Sequence, residues 1–238
     1  MATSRSFPQF FRQILAARWR TLLLLFTGVV LPLIGFEQFA IVIGQQGTFA
    51  WDQAILTAIH STAQSMLDRI AVTITPLGVF YGVFPIATLI SIGLLYRRRW
   101  RSLSYLLVTL LGSALINRTA KIWLHRDRPD LWETLTPHTD FSFPSGHAMS
   151  SMSLAAALVI LTWGSRWCGW VSAIGAGFVV MIAWTRLYLG VHFPSDILAG
   201  WMISLAWAIG VSLIIRPHLE APYEETTLLP DELQSTRS

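Results

Sequence analysis

The sequence predicts an all-α membrane protein: a six-span transmembrane helical bundle with an extracytoplasmic, interfacial amphipathic helix. Three observations predict it. The mean hydropathy is +0.54 and only 13% of the 238 residues are charged, the composition of a polytopic membrane protein and not of a soluble domain. Six apolar stretches approach the roughly 20 residues that a helix needs to cross a bilayer. The arginines between these stretches fall on one side of the membrane when the stretches are threaded as spans.

The expected spans lie at about 21–43, 76–96, 103–122, 147–164, 169–188 and 196–215. The first holds Pro32 and Gly35, which a membrane helix tolerates. It is longer than the apolar core of a signal peptide and lacks a clear small-x-small cleavage site, so it is expected to stay as a span. Arg5, Arg12, Arg18 and Arg20 precede it, Arg97, Arg98, Arg99 and Arg101 separate spans two and three, Arg166 separates four and five, and Arg216 follows six. Threading these inside puts both termini in the cytoplasm and segments 118–146 and 186–195 on the opposite face. Trp19, Trp100, Trp163, Trp167 and Trp170 then mark the inner interface, and Trp51, Trp123 and Trp132 the outer one.

Residues 51–70 do not read as a span. Trp51, Ile55, Leu56, Ile59, Ala63, Met66, Leu67 and Ile70 recur at helical spacing, with Asp52, Gln53, His60, Gln64 and Asp68 on other faces. This predicts an amphipathic helix on the outer surface. The chain therefore divides into a cytoplasmic segment 1–20, one membrane domain 21–215, and a polar cytoplasmic tail 216–238. Its single cysteine, Cys168, forms no intramolecular disulfide and excludes a thiolate metal site.

Three blocks carry the chemistry, and all three fall on the extracytoplasmic face: Lys121 with Arg128-Pro129, Pro144-Ser145-Gly146-His147, and Arg186 with His192 and Asp196. Lys121 is the only lysine in the chain. A charge placed outside, at membrane depth, is costly and reads as functional. His192 and Asp196 are four apart and share a face if helical, with Ser195 as a candidate N-cap. An aspartate on one imidazole nitrogen fixes the tautomer and leaves the other nitrogen as a nucleophile. Ser145 and Gly146 open a helix, whose first N–H groups bind anions. His147 suits a proton donor to the leaving alkoxide and then an acceptor from water. Lys121, Arg128 and Arg186 would surround the phosphoryl oxygens, the electrostatic work that other phosphoryl-transfer sites give to a metal. His125, Arg126 and Asp127 lie inside the first block and read mostly as solvated, His138 and Asp140 as loop residues, and His60 as incidental.

With these spacings the sequence resembles the type-2 phosphatidic acid phosphatase superfamily, whose pattern is Lys-x6-Arg-Pro, Pro-Ser-Gly-His and Ser-Arg-x5-His-x3-Asp. The first two are complete here, and in the third Thr185 stands in the serine position and keeps its hydroxyl. The resemblance covers about 50–215 and points to the small bacterial members. It implies His192 as nucleophile, Asp196 as its orienting partner, His147 as acid/base, and Lys121, Arg128, Ser145, Gly146 and Arg186 as phosphate binders. Asn117 sits where many members carry asparagine. The implied activity is hydrolysis of a terminal phosphate from phosphatidic acid, phosphatidylglycerol phosphate or an isoprenoid diphosphate such as undecaprenyl diphosphate, through a phosphohistidine. No cofactor, no metal and no nucleic acid are expected; the partners are the lipid substrate and the bilayer, with the bacterial inner membrane as the setting.

Three other readings use the same residues. His147, His192 and Asp196 could ligate a metal, against the repulsion of the three nearby cations. The phosphohistidine could pass its phosphoryl group to a lipid or sugar acceptor instead of water. A lipid-binding or transport protein could use the cations for binding alone. The preferred head group and the oligomeric state are not encoded in any motif.

Overall fold

The structure, a computed structural model, describes residues 18–133, 135 and 140–219. The expected cytoplasmic segment and the tail lie largely outside these residues, as does His138. Among the described residues every regular element is helical. α1 covers Arg18–Gln46, α2 Ala50–His60, α3 Ser65–Ile74, α4 Val83–Tyr96, α5 Trp100–Leu124, α6 Gly146–Leu161, α7 Cys168–Tyr188 and α8 Pro194–Ile215.

Five helical segments are long and apolar enough to cross a bilayer: Arg18–Gln46, Ser65–Tyr96, Trp100–Leu124, Cys168–Tyr188 and Pro194–Leu219. α6, expected as a span over 147–164, is apolar but only 16 residues long. At 1.5 Å per residue it reaches about 24 Å, short of the roughly 30 Å hydrocarbon core. The helix expected over 51–70 is broken at 61–64 into α2 and α3. α3 then runs through a 3₁₀ turn at Thr75–Gly78 toward α4, so the second spanning segment starts 11 residues before the expected position 76. The apolar periodicity over 51–70 therefore mixes two helices with different surroundings: Leu56 is fully buried and Met66 is 69% exposed.

α1 widens into a π-turn at Phe26–Val30, just ahead of Pro32. Proline has no N–H to give the preceding turn, and a widened turn absorbs that loss. α6 is the hub, packed against α5, α7 and α8, with α1 closing over α8. Serines bond across its contacts: Ser153 of α6 bonds Ser113 of α5 at 2.8 Å, and Ser204 of α8 donates to the Met149 carbonyl of α6 at 3.2 Å. Such interhelical bonds suit an apolar medium, where the hydroxyl has no other partner.

The C-terminal ends of α1, α5 and α7 and the N-terminal ends of α2, α6 and α8 converge at one end of the bundle. Arg97, Arg98, Arg99 and Arg101 lie at the start of α5, Arg166 between α6 and α7, and Arg216 after α8, at the opposite helix ends. All three sequence blocks are on the convergent end.

Candidate active site

α5 ends at Leu124 because His125 turns left-handed, with φ 43°. The chain beyond has no regular structure; Arg126 is buried, Asp127 is exposed and Arg128 is half-buried on the cavity wall. Lys121, one turn before the helix end, reaches the same region. α6 begins at Gly146, and the Ser145 hydroxyl accepts from the Ala148 N–H at 3.5 Å as its cap. Asn117 of α5 donates to the Pro144 carbonyl at 2.9 Å and so braces this turn. α7 ends at Tyr188, and Gly190, with φ 67°, turns the chain toward His192. Trp132, stacked on His60 at 3.8 Å, covers Gly190 so closely that a Cβ there would lie 2.6 Å from its ring.

These turns bring Lys121, Arg128, Asp140, Gly146, His147, Arg186 and His192 to the wall of one cavity of about 440 Å³. The other side of that wall is apolar, with Val79, Phe80, Val83, Leu110 and Ala114 from the α3–α4 connection, α4 and α5. Of the residues expected to bind phosphate, Ser145 is not on the wall: its side chain is fully buried under the start of α6. Asp196 lies behind His192, also fully buried.

The geometry fixes the histidine tautomer. Arg128 Nη1 is 3.3 Å from His192 Nε2. A guanidinium only donates, so Nε2 carries the lone pair and Nδ1 the proton. Nδ1 lies 3.4 Å from Asp196 Oδ2, within ion-pair reach but without hydrogen-bond geometry; active-site contacts of this kind tighten when substrate is bound. Burial, reinforced by Arg128, Arg186, Lys121 and His147, holds His192 well below the usual histidine range, so the ring is neutral. Arg186 is almost fully buried, and its Nη1 donates to the Thr75 hydroxyl at 2.9 Å. Thr185 bonds the same hydroxyl at 3.1 Å, so the threonine in the serine position braces Arg186 through Thr75. His147 packs over Gly78, where a Cβ would approach its ring to 3.0 Å. Ser150 donates to the Gly78 carbonyl at 2.5 Å and ties that turn to α6.

Two residues assigned by sequence to solvated surfaces belong to this assembly. Arg126, expected to be solvated, is 5% exposed, and Asp52, expected on a polar outer face, is 0% exposed. Arg126 Nη2 pairs with Asp52 Oδ2 at 2.8 Å, and Nη1 pairs with Asp196 Oδ1 and donates to Ser195 Oγ at 2.8 Å. Its Nε donates to the Gly47 carbonyl at 3.0 Å, and its guanidinium lies 4.2 Å over the Phe193 ring. Asp52 and Asp196 each occupy the third position of a helix, accepting from the N–H of Phe49 at 3.2 Å and of Phe193 at 2.8 Å. Two helix starts thus face each other across one arginine. Ser195, expected as the N-cap of α8, is instead its second residue; the cap position is Phe193, and the Ser195 hydroxyl donates to Asp52 at 2.6 Å. No local signal in the sequence marks Arg126, because its partners Asp52 and Asp196 lie 74 and 70 residues away. Among the described residues no three of His, Cys, Asp or Glu are arranged to hold a metal ion.

The PAP2 superfamily pattern matches residues 102–219, which hold all three blocks. The chain is 34% identical over 161 residues to phosphatidylglycerophosphatase B of Bacillus subtilis, covering 65% of this chain and 78% of that protein. The chain belongs to the PAP2 superfamily. As a PAP2 protein it is a phosphatase, a hydrolase of phosphate esters, integral to a membrane. It is also 26% identical over 200 residues to an undecaprenyl-diphosphatase of Sulfolobus acidocaldarius, covering 82% of this chain and 88% of that one. The crystal structure of a transmembrane PAP2-type phosphatidylglycerolphosphate phosphatase from Bacillus subtilis superposes with a TM-score of 0.70 at 30% identity, covering 79% of this chain and 95% of that one.

Proposed function

We propose that this PAP2 protein removes the terminal phosphate of a membrane lipid, among phosphatidic acid, phosphatidylglycerol phosphate and isoprenoid diphosphates, through a phosphohistidine and without a metal. The observation that carries this reading is the neutral His192 with its Nε2 lone pair beside Arg128 on the cavity wall. Nε2 attacks phosphorus, forming the N–P bond as the bond to the lipid oxygen breaks. His147 gives that oxygen a proton. Water then attacks phosphorus, His147 takes its proton, the N–P bond breaks, and orthophosphate leaves. Lys121, Arg128, Arg186 and the N–H groups at Gly146 carry the charge of the equatorial oxygens. Ser145 contributes by capping α6 and so fixing those N–H groups, and Asp196, held by Arg126, balances the imidazolium character that develops on His192.

The apolar half of the wall supports a lipid: Val79, Phe80, Val83, Leu110 and Ala114 would receive the first acyl or isoprenoid carbons while the head group meets the cations. α6, enclosed by α5, α7 and α8, completes a six-span bundle whose short helix is compensated by its protein surroundings. The arginines at the helix ends opposite the cavity support cytoplasmic termini and an extracytoplasmic site, in a bacterial inner membrane.

The test is phosphate release by the purified protein, in chelator, from the three lipid classes, with His192→Ala as control. Release from at least one lipid that vanishes in the variant is expected. Full release by His192→Ala would refute the mechanism, and labelled phosphoryl appearing on an added alcohol in preference to water would move the protein to the phosphotransferases.

A further inference from the structure

Asp140 has no place in the chemistry above, yet it touches the centre of the phosphate cradle. Its Oδ2 accepts from Lys121 Nζ and its Oδ1 from Arg128 Nη2 at 2.7 Å. The backbone joins in: Arg128 Nε donates to the Asp140 carbonyl at 2.8 Å, and Lys121 Nζ to the Phe141 carbonyl at 2.5 Å. The carboxylate itself is 55% exposed, while Lys121 and Arg128 are 13% and 14% exposed. An accessible anion thus bridges two largely buried cations, 19 and 12 residues away in sequence, with its two oxygens, the way a phosphoryl group would. Burial raises the Asp140 carboxyl, and the hydrogen bond and charge of Lys121 with the charge of Arg128 outweigh it, taking it down to about 2. The group is therefore an anion at any pH at which the enzyme would work.

We propose that Asp140 is a built-in competitor for the phosphate cradle, displaced by a dianionic phosphomonoester and not by a monoanionic phosphodiester lipid. The proposal rests on the lipid phosphatase reading. A phosphodiester exchanges one single charge for another and leaves Asp140 beside a second anion. A phosphomonoester brings close to two charges and three terminal oxygens, enough to engage Lys121, Arg128 and Arg186 together. Asp140, half exposed, moves its carboxylate into water at little cost. Diester lipids form the bulk of a membrane and would otherwise crowd a cationic cavity with an apolar wall. A single carboxylate makes the site select for the rarer terminal phosphate.

The experiment uses the full chain in detergent and compares wild type with Asp140→Asn, Asp140→Ala and Asp140→Glu. Orthophosphate binding is read by calorimetry, which needs no turnover. Inhibition of phosphatidic acid hydrolysis by phosphatidylglycerol in mixed micelles is read in parallel, and thermal unfolding confirms that each variant is folded. Orthophosphate should bind roughly three- to tenfold more tightly to Asp140→Asn and Asp140→Ala, the size expected when two partly screened ion pairs no longer compete. Phosphatidylglycerol should inhibit these two variants at concentrations that leave wild type unaffected, and Asp140→Glu should restore the wild-type behaviour. Unchanged or weaker orthophosphate binding in folded Asp140→Asn and Asp140→Ala would overturn the proposal and make Asp140 a brace for the cations. Tighter orthophosphate binding in those variants with no lipid hydrolysed by wild type would leave the competitor standing and remove the lipid phosphatase reading instead.

Discussion

Replacing Arg126 by methionine tests whether the buried arginine supports the nucleophile. Methionine keeps most of the side-chain volume and removes the charge. Asp52 and Asp196 are both fully buried, and each would lose its ion pair with Arg126 while keeping its backbone N–H. Removing one partner of a buried pair typically costs about 3–5 kcal/mol, because the remaining charge stays uncompensated. Two carboxylates then face each other without a cation, so the upper end of that range applies. For a domain of this size such a loss lowers the midpoint of thermal unfolding by about 10–20 °C. The catalytic effect follows from position. Asp196 is held on one oxygen by Arg126 and on the other by the Phe193 N–H. With Arg126 gone the carboxylate turns away from His192, and a displacement of about 1 Å in such a site costs about 100-fold in rate. Tryptophan fluorescence on heating and phosphate release below the new midpoint read the two effects separately. Adding Asp52→Asn to Arg126→Met should recover part of the lost stability and little of the rate. Stability and rate both within twofold of wild type in Arg126→Met would refute the network's role.

Other consequences can be checked alongside. His147→Ala and His192→Ala should each lower phosphate release to background while binding orthophosphate within about tenfold of wild type, as calorimetry would show. Thr185→Val should weaken the brace on Arg186 through Thr75 and raise KM more than it lowers kcat, by about three- to tenfold for one lost hydrogen bond, and Thr185→Ser should behave as wild type in the same assay. Chelator should leave turnover within about twofold, measured after dialysis against it. His192 should titrate below its ordinary value of 6.5 in an NMR titration of ring protons. The sign follows from that direction: the fold holds His192 neutral, so its contribution to stability is full above pH 6.5 and is lost as pH falls from there toward the lowered folded-state value. A His192 midpoint at or above 6.5 would contradict the buried, cation-flanked ring.

The three blocks were legible in sequence because each is a local spacing on a rigid piece of backbone. Lys121 and Arg128 straddle a helix end, His147 follows a helix cap, and His192 and Asp196 straddle a helix start. Five helical segments long and apolar enough to cross a bilayer were legible from length and hydropathy, although the second starts earlier than expected. α6, expected as a span, has the apolar composition but not the length, and it packs against α5, α7 and α8. The break at 61–64 was hidden because α2 and α3 both carry apolar residues at helical spacing. Arg126 and Asp52 were misread for a different reason. They meet across 74 residues, and a charged residue looks solvated until its partner is known. Asp140 had the same difficulty: nothing in its own neighbourhood says that its carboxylate reaches Lys121 and Arg128. Ser145 shows the reverse case, a motif residue whose hydroxyl serves the helix and not the cavity wall.

The central claim is a covalent phosphohistidine at His192, and rapid mixing with a radiolabelled lipid phosphate tests it most directly. After an alkaline quench, which preserves phosphohistidine, and peptide mapping, the label should sit on His192 at up to one per chain within a single turnover. It should be absent from His192→Ala. Hydrolysis at the normal rate with no protein-bound label at any quench time, or label on another residue, would contradict the account.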